Sequence, residues 1–149
     1  MKENIAEISV ENYLKSFVGK SYLIPEYGDR IFIGPDFPDE YTGATYTKKL
    51  KGTLAKAKAN AAQAVPELLQ IATNRRFKEN LKEKHCQDAG NGWYRYDTKF
   101  ALPVYGENQE LERLNIFYAV LLVRHSYNGK RYLYDIVNIK KETSRPLKL

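Results

Sequence analysis

One dipeptide near the carboxyl end of the chain, Asn128-Gly129, constrains the fold most strongly. The segment before it, RLNIFYAVLLVRHS, is almost continuously apolar, and the segment after it reads KRYLYDIVNIKK. Asn-Gly between two such segments is the strongest short-range signal for a β-hairpin, because a type I′ turn requires positive φ at both central residues. The sequence therefore predicts two antiparallel strands, near Asn115–His125 and Arg131–Lys140.

The Asn-Gly turn also predicts a register for this hairpin, because a two-residue turn sets every later cross-strand pair. One face then carries Lys140 and four pairs, which are His125 with Tyr132, Val123 with Tyr134, Leu121 with Ile136, and Ala119 with Asn138. The other face is mostly aliphatic, with Tyr118, Val120, Leu122 and Arg124 against Leu133, Asp135, Val137 and Ile139. We expect helices to cover the aliphatic face and the first face to stay open for a ligand.

A third strand is predicted at Trp93–Val104, where WYRYDTKFALPV alternates with a period of two. One side of this strand carries Trp93, Arg95, Asp97 and Lys99. The connections between the three strands are short, which permits antiparallel pairing and leaves no room for crossover helices.

The amino-terminal half contains the helical signals. SVENYLKSFVG predicts a short helix with Ser9 as its cap. TLAKAKANAAQAVPELLQIATN is rich in alanine, and Pro66 divides it into helices at about Leu54–Ala64 and Pro66–Ala72. A short strand is expected at Arg30–Ile33, and NRRFKENLKEKHCQDAGNG is expected to be a polar connection.

These elements predict a single α+β domain over residues 1–149, with N-terminal helices packed on a C-terminal antiparallel β-sheet. Its parts are a helix and strand region at 1–50, helices and a basic connection at 51–90, and the antiparallel sheet at 93–140. A chain of 149 residues can bury one hydrophobic core.

The amino-acid composition narrows the classes of partner and ligand that the chain is expected to bind. The chain has 24 Lys and Arg residues against 18 Asp and Glu, a net charge of +6, which favours nucleic acid or an acidic protein. Its twelve tyrosines suit base stacking and strand formation equally. No segment is apolar enough to span a membrane, and a single cysteine suits the cytoplasm. With two histidines and one cysteine, we expect neither a metal site nor a cofactor.

The stretch KEKHCQDAGNGWYRY places His85 among cationic side chains. A histidine has an ordinary pKa of about 6.5 and can act as a general base near neutral pH. Lys82 and Lys84 could hold a phosphate beside it, and Arg95 could offer a bidentate fork. The alternative is a solvated loop that contains a histidine. For His125 the alternative is an edge histidine that pairs across from Tyr132, and for Arg95 and Lys99 it is the solvated side of an amphipathic strand.

The segments EYTGATYTKKLKG, AKAKANAAQAVPELLQIATN, KHCQDAGNGWYRYDTKFALPV and LLVRHSYNGKRYLYDIVNIKKE resemble a module of phage and mobile-element polyvalent proteins. The resemblance covers roughly Ile31 to Glu142. Such modules resemble the barnase–EndoU–colicin–RelE-like nuclease superfamily of metal-independent RNases. The resemblance implies helices followed by an antiparallel sheet, with catalysis by a residue before the sheet and by polar residues on its face. By position, the implied catalytic residues are His85, Arg95, Tyr134 and Asn138.

Two functional hypotheses follow. The first is an RNase-like toxin module that cleaves RNA through attack of the 2′-hydroxyl and leaves a 2′,3′-cyclic phosphate. The second is a non-catalytic phage accessory protein that binds a host protein or nucleic acid, for example to block a defence system. The expected partner is nucleic acid, RNA rather than DNA, or an acidic host or immunity protein in the bacterial cytoplasm. The predicted nucleic-acid-binding residues are Lys82, Lys84, Lys99, His125 and Lys140.

Overall fold

The structure is a computed structural model that describes residues 10–80 and 89–146, with side chains described as far as Glu142. Its helices are α1 at residues 10–15, α2 at Phe37–Gly43, α3 at Thr45–Lys49, α4 at Gly52–Ala61 and α5 at Val65–Gln70, with a 3-10 turn at Ala62–Ala64. Its strands are β1 at Ser21–Ile24, β2 at Asp29–Phe32, β3 at Thr73–Lys78, β4 at Trp93–Tyr105, β5 at Leu111–His125 and β6 at Arg131–Pro146.

The α+β prediction is confirmed, with helices mainly in the first half and the long strands in the second. The predicted helix break at Pro66 is also confirmed, because Pro66 lies in the first turn of α5, where its missing N–H has no helical partner to lose. Helices α2 and α4 pack on β6, and α5 packs on β1 and β4.

The three predicted C-terminal strands pair antiparallel, as predicted, and the whole sheet is mixed because β2 joins it parallel to β6. Its six strands lie in the order β1-β2-β6-β5-β4-β3. The β1–β2 hairpin joins the edge of β6, and β2 runs parallel to β6 at Ile31 and Phe32. A parallel pair needs a crossover connection, and here the helices and the other strands of the chain supply it.

The prediction of a polar connection after α5 is wrong at its start, because Thr73–Lys78 forms strand β3 and pairs with β4. This strand is mostly exposed and carries Arg75, Arg76 and Lys78. Charged residues on an edge strand oppose pairing with another chain. They also remove the alternation by which a strand is recognised in a sequence.

The predicted register is wrong beside the turn and right in the middle of the hairpin. The Ser126 N–H donates to the Lys130 carbonyl at 3.0 Å, so the loop holds three residues, with Gly129 at φ +84°. His125 therefore opposes Arg131 instead of Tyr132, and Val123 opposes Leu133 instead of Tyr134. An irregularity after Leu122 restores the predicted pairing of Leu121 with Ile136. The predicted pair of Ala119 and Asn138 falls within a second irregularity, where Asn138 has φ +53°.

The assignment of the two faces is wrong for β5 and right for most of β6, where Leu133 and Ile139 are buried and Lys140 is exposed. The helices cover the alternate residues Ala119, Leu121 and Val123 of β5, all of which are buried. On β6 the irregularity places the successive residues Asp135 and Ile136 in the interior together. Both faces of β5 are apolar, so the hydrophobic pattern could not choose between them, and the turn geometry on which the choice rested differs by one residue.

The sheet curls so that the β1–β2 hairpin at one end of the sheet approaches β3 at the other end. The Arg75 Nη1 of β3 pairs with the Asp29 carboxylate of β2 at 2.8 Å, and the Arg75 N–H donates to the Tyr27 hydroxyl at 2.9 Å. The Tyr96 hydroxyl of β4 donates to the same Asp29 carboxylate at 2.7 Å. Residues from opposite ends of the sheet therefore meet on the helix side, near the start of β4.

Candidate nucleic-acid interface

The side of the sheet that the helices leave uncovered is here called the open face. On β4 and β5 it consists of alternate residues that are paired in register, namely Trp93 with Arg124, Arg95 with Leu122, Asp97 with Val120, and Lys99 with Tyr118. All eight residues are half-buried or exposed, whereas Tyr96, Thr98, Leu121 and Val123 between them are buried. The open face thus combines strand residues that carry charge with strand residues that carry aromatic rings.

A groove of about 680 Å³ crosses the open face over four strands. Its lining includes Thr73 from β3, Asp97 and Lys99 from β4, Tyr118 and Val120 from β5, and Asn138 and Lys140 from β6. Because side chains alternate along a strand, residues two apart on neighbouring strands form one continuous surface. The irregularity at Asn138 leaves its amide exposed at the groove.

The groove is electropositive. Its carboxylate, Asp97, is already bound by the Arg76 guanidinium at 2.9 Å and by the Asn74 amide at 2.7 Å. Within the part of the chain that the structure describes, neither Lys99 nor Lys140 pairs with a carboxylate, and Arg95 beside them forms no ion pair either. Three cations on one exposed surface attract phosphates or an acidic surface.

An aromatic patch adjoins the groove on the same face and consists of Phe32, Trp93, Tyr132 and Tyr134. The Trp93 and Tyr134 rings meet edge to face at 5.0 Å, and the rings of Phe32 and Tyr132 lie 6.0 Å apart. The Arg124 guanidinium lies over the Tyr132 ring at 4.3 Å. Aromatic rings beside guanidinium groups are the elements on which nucleic-acid bases stack.

The structure brings several of the predicted site residues together. Lys99, Asn138 and Lys140 line the groove, Arg95 lies next to it on the open face, and Tyr134 belongs to the aromatic patch. His85, Lys82 and Lys84 lie outside the described residues.

His125 lies on the helix side of the sheet, away from the groove. Its ring is 5.7 Å from that of Tyr94, and its Nε2 is 3.2 Å from the Gly129 carbonyl oxygen. These contacts place His125 at the base of the hairpin loop, where it opposes Arg131 and not the predicted Tyr132.

The sequence reasoning did not select Arg76, Tyr118, Arg124 or Tyr132 as site residues. All four lie on the open face, and Tyr118 and Arg124 had been assigned to the covered one. The alternation of Trp93, Arg95 and Lys99 on β4 was recognised, but the pairing of β4 with β5 was not used. A correct pairing of β4 with β5 places Tyr118 and Arg124 on their side.

The covered side holds a buried ion pair between Lys58 of α4 and Asp135 of β6, whose side chains are 2% and 3% exposed. Lys58 Nζ donates to the Asp135 carboxylate and, at 2.6 Å, to the Ile136 carbonyl, and it lies 4.1 Å from the centre of the Tyr41 ring. Desolvation outweighs the attraction within the pair, so burial raises the pKa of Asp135 to about 6 and lowers the pKa of Lys58.

This pair also has an architectural role at the edge of β6. Strand β2 pairs only with the first two residues of β6, so the backbone of β6 beyond them needs other partners. Lys58 supplies one to the Ile136 carbonyl, and the Tyr46 hydroxyl accepts the Ile139 N–H at 2.7 Å. Side chains of α3 and α4 therefore make hydrogen bonds to the β6 backbone that a neighbouring strand would otherwise make.

Comparisons of the chain with protein-family models, with curated proteins and with solved structures found no match. Across residues 10–80 and 89–146, no helix combines the length and apolar character that crossing a membrane requires. The same residues contain no cluster of three or more His, Cys, Asp or Glu side chains that could hold a metal ion.

Proposed function

We propose that this chain binds single-stranded nucleic acid, RNA in particular, on its open face. The observation that carries the proposal is the set of cations Arg95, Lys99 and Lys140, which lack carboxylate partners within the described ranges and alternate with aromatic rings on an uncovered sheet. Cations hold the phosphates of a strand, and exposed rings stack its bases. The chain would act in the cytoplasm of a bacterial host.

The layout of the groove favours a single strand over a duplex. Lys99 and Lys140 lie on either side of Tyr118 across the three long strands, so phosphates and a base can be bound in succession. The exposed Asn138 amide offers both a donor and an acceptor to a base edge. Bases within a duplex are already stacked and cannot reach the rings of a protein surface.

RNA cleavage is a second proposal for the same face. Arg95 lies two residues after the start of β4, on the surface where the groove would hold phosphates. A guanidinium there could stabilise the pentacoordinate phosphorane that forms when the 2′-hydroxyl attacks. His85, from the segment just before β4, would be the general base that takes the 2′-hydroxyl proton. The bond between phosphorus and the 5′-oxygen would then break, and the leaving 5′-oxygen would take a proton from the imidazolium or from water. This arrangement would correspond to a toxin module like the metal-independent RNases that the sequence resembles.

Fluorescence anisotropy with labelled single-stranded RNA, single-stranded DNA and double-stranded RNA tests the binding proposal. The decisive variant is Lys99→Glu with Lys140→Glu, and the matched control is Lys56→Glu, which changes an exposed lysine of α4 on the helix side. We expect the double variant to lose affinity for single strands and the control to keep it. Equal affinities for the two variants, or a wild-type protein that binds no single strand, would contradict the proposal.

Cleavage is tested with the same RNA in EDTA. Wild-type protein would release fragments that end in a 2′,3′-cyclic phosphate, and His85→Ala would release none while binding RNA normally. Binding without fragments would leave the chain as a non-catalytic nucleic-acid-binding protein. Identical fragments from the wild type and His85→Ala would exclude His85 as the base.

A further inference from the structure

The backbone of β6 is irregular where it passes the groove of the open face. Between the pair of Val120 with Val137 and the pair of Tyr118 with Lys140, β6 contains one residue more than β5. Asn138 lies in this bulge with φ +53°, a left-handed conformation that asparagine tolerates better than most residues. Bulges often redirect a side chain beside a functional site, and this one places Asn138 in the lining of the groove.

The Asn138 side chain is accessible and has no partner within the chain as described. It is exposed, and across residues 10–80 and 89–142 it makes no hydrogen bond. Among the described groove residues it alone carries a side-chain amide, which presents a donor and an acceptor side by side. The Asp97 carboxylate already accepts hydrogen bonds from Arg76 and Asn74, and the lysines of the groove can only donate.

An aromatic ring and a cation lie beside this amide. Tyr118 of β5 is exposed, lines the same groove, and pairs with Lys140, which follows Asn138 by two residues on β6. A base that stacks on the Tyr118 ring therefore occupies the groove that Asn138 also lines. Lys140 is then placed for the adjoining phosphate, so the amide is left to contact the edge of the base.

We propose that Asn138 gives the open face a preference for adenine, an inference that rests on the proposed binding of single-stranded nucleic acid there. An amide pairs with a donor and an acceptor that are adjacent on a base. Adenine presents such a pair on two edges, because its 6-amino group lies between N1 and N7. Guanine presents two acceptors, O6 and N7, on its major-groove edge, and pyrimidines have a smaller ring to stack on the tyrosine.

The test compares a labelled polyuridine RNA with the same RNA carrying a central adenosine, guanosine or cytidine, by fluorescence anisotropy. The adenosine RNA should bind the wild type about tenfold more tightly than polyuridine. Asn138→Gly should lose this difference and keep most of the affinity for polyuridine, because glycine adopts positive φ without strain. The matched control is Gln109→Gly, which changes another residue at positive φ, in the loop between β4 and β5, and should keep the preference.

A change in the RNA tests the same contact without a protein variant. Purine riboside in place of the central adenosine keeps both rings but lacks the 6-amino group, so the wild type should lose about tenfold in affinity. This measurement decides alone if Asn138→Gly does not fold.

Three outcomes would overturn the adenine preference while strand binding stands. They are equal affinities for the four RNAs, an adenine preference that persists in Asn138→Gly, and a preference for a different base. A wild-type protein that binds none of the RNAs would overturn both this inference and the proposed function.

Discussion

Two lysines that lie at the same strand, β6, have opposite environments. Lys58 reaches β6 from the helix layer, is buried, and pairs with Asp135. Lys140 lies on β6 itself, is exposed, and pairs with no carboxylate among the residues described. The covered side neutralises its charge within the chain because an unpaired buried charge is too costly. The open face leaves its charge exposed to water, which solvates it.

The strongest test of this difference between the two lysines is to remove the buried cation, Lys58. Lys58→Met leaves the Asp135 carboxylate in the interior without its partner and leaves the Ile136 carbonyl without its donor. We expect the free energy of unfolding to fall by about 3–5 kcal/mol in urea denaturation at neutral pH.

Two controls accompany this variant. Lys140→Met should change stability by less than about 0.5 kcal/mol, because it alters only a solvated charge. Lys58→Met with Asp135→Leu should recover most of the loss, since a buried pair can often be replaced by apolar residues. Equal stability of Lys58→Met and Lys140→Met would show that the two environments do not differ as described.

The next largest effect is a pH dependence that the buried pair imposes. The pKa of Asp135 is raised from 3.8 to about 6 in the folded protein, because burial disfavours its charged form. Between these values the folded state holds a proton that the unfolded chain has released. The contribution of Asp135 to the free energy of unfolding therefore falls by roughly 2–3 kcal/mol as the pH rises from about 4 to about 6.

Urea denaturation over a pH series, compared with Asp135→Asn, measures this contribution. The difference between the two proteins isolates Asp135 from the other carboxyl groups that titrate in the same range. The wild type should lose stability relative to Asp135→Asn between about pH 4 and 6. Curves of the two proteins that run parallel through this window would contradict the raised pKa.

On the open face, charge reversal should alter binding without altering stability. Lys99→Glu with Lys140→Glu should weaken single-stranded RNA binding by about 10–100-fold, or ~1.4–2.8 kcal/mol. The slope of log affinity against log salt should decrease in magnitude by about 1.4, because each phosphate contact on a single strand contributes about 0.7. Anisotropy titrations at several salt concentrations measure both quantities. A loss of affinity with an unchanged salt slope would mean that these lysines do not contact phosphates.

The smallest effect separates stacking from hydrogen bonding at Tyr118. This side chain lines the groove, is 43% exposed and donates its hydroxyl to Glu142 at 2.6 Å. Tyr118→Ala should cost about 1 kcal/mol of binding free energy through the loss of one stacked base. Tyr118→Phe keeps the ring and should bind like the wild type. If Tyr118→Phe weakens binding as much as Tyr118→Ala, the hydroxyl and not the ring contributes to recognition.

Much of the element inventory could be predicted because it depends on local chemistry. Alanine content and Pro66 located α4 and α5, the alternation from Trp93 onward located β4, and the apolar run before Asn128 located β5. Strand β3 could not be predicted, since three cations within it obscure the alternation and its pairing with β4 is a long-range property. At the site, the β4 alternation placed Arg95 and Lys99 on one side, and that part of the prediction stands in the structure.

The sequence by itself determined the α+β class and the positions of the long strands, because propensity and periodicity act over a few neighbouring residues. Which side of the sheet the helices cover was decided only in the tertiary structure. A three-residue loop at Tyr127–Gly129 shifts the hairpin by one residue, and irregularities near Leu122 and Asn138 shift it again. Because side chains alternate with a period of two, each shift exchanges the faces locally. The ion pair of Arg75 with Asp29 likewise depends on the curl of the whole sheet, which no local pattern encodes.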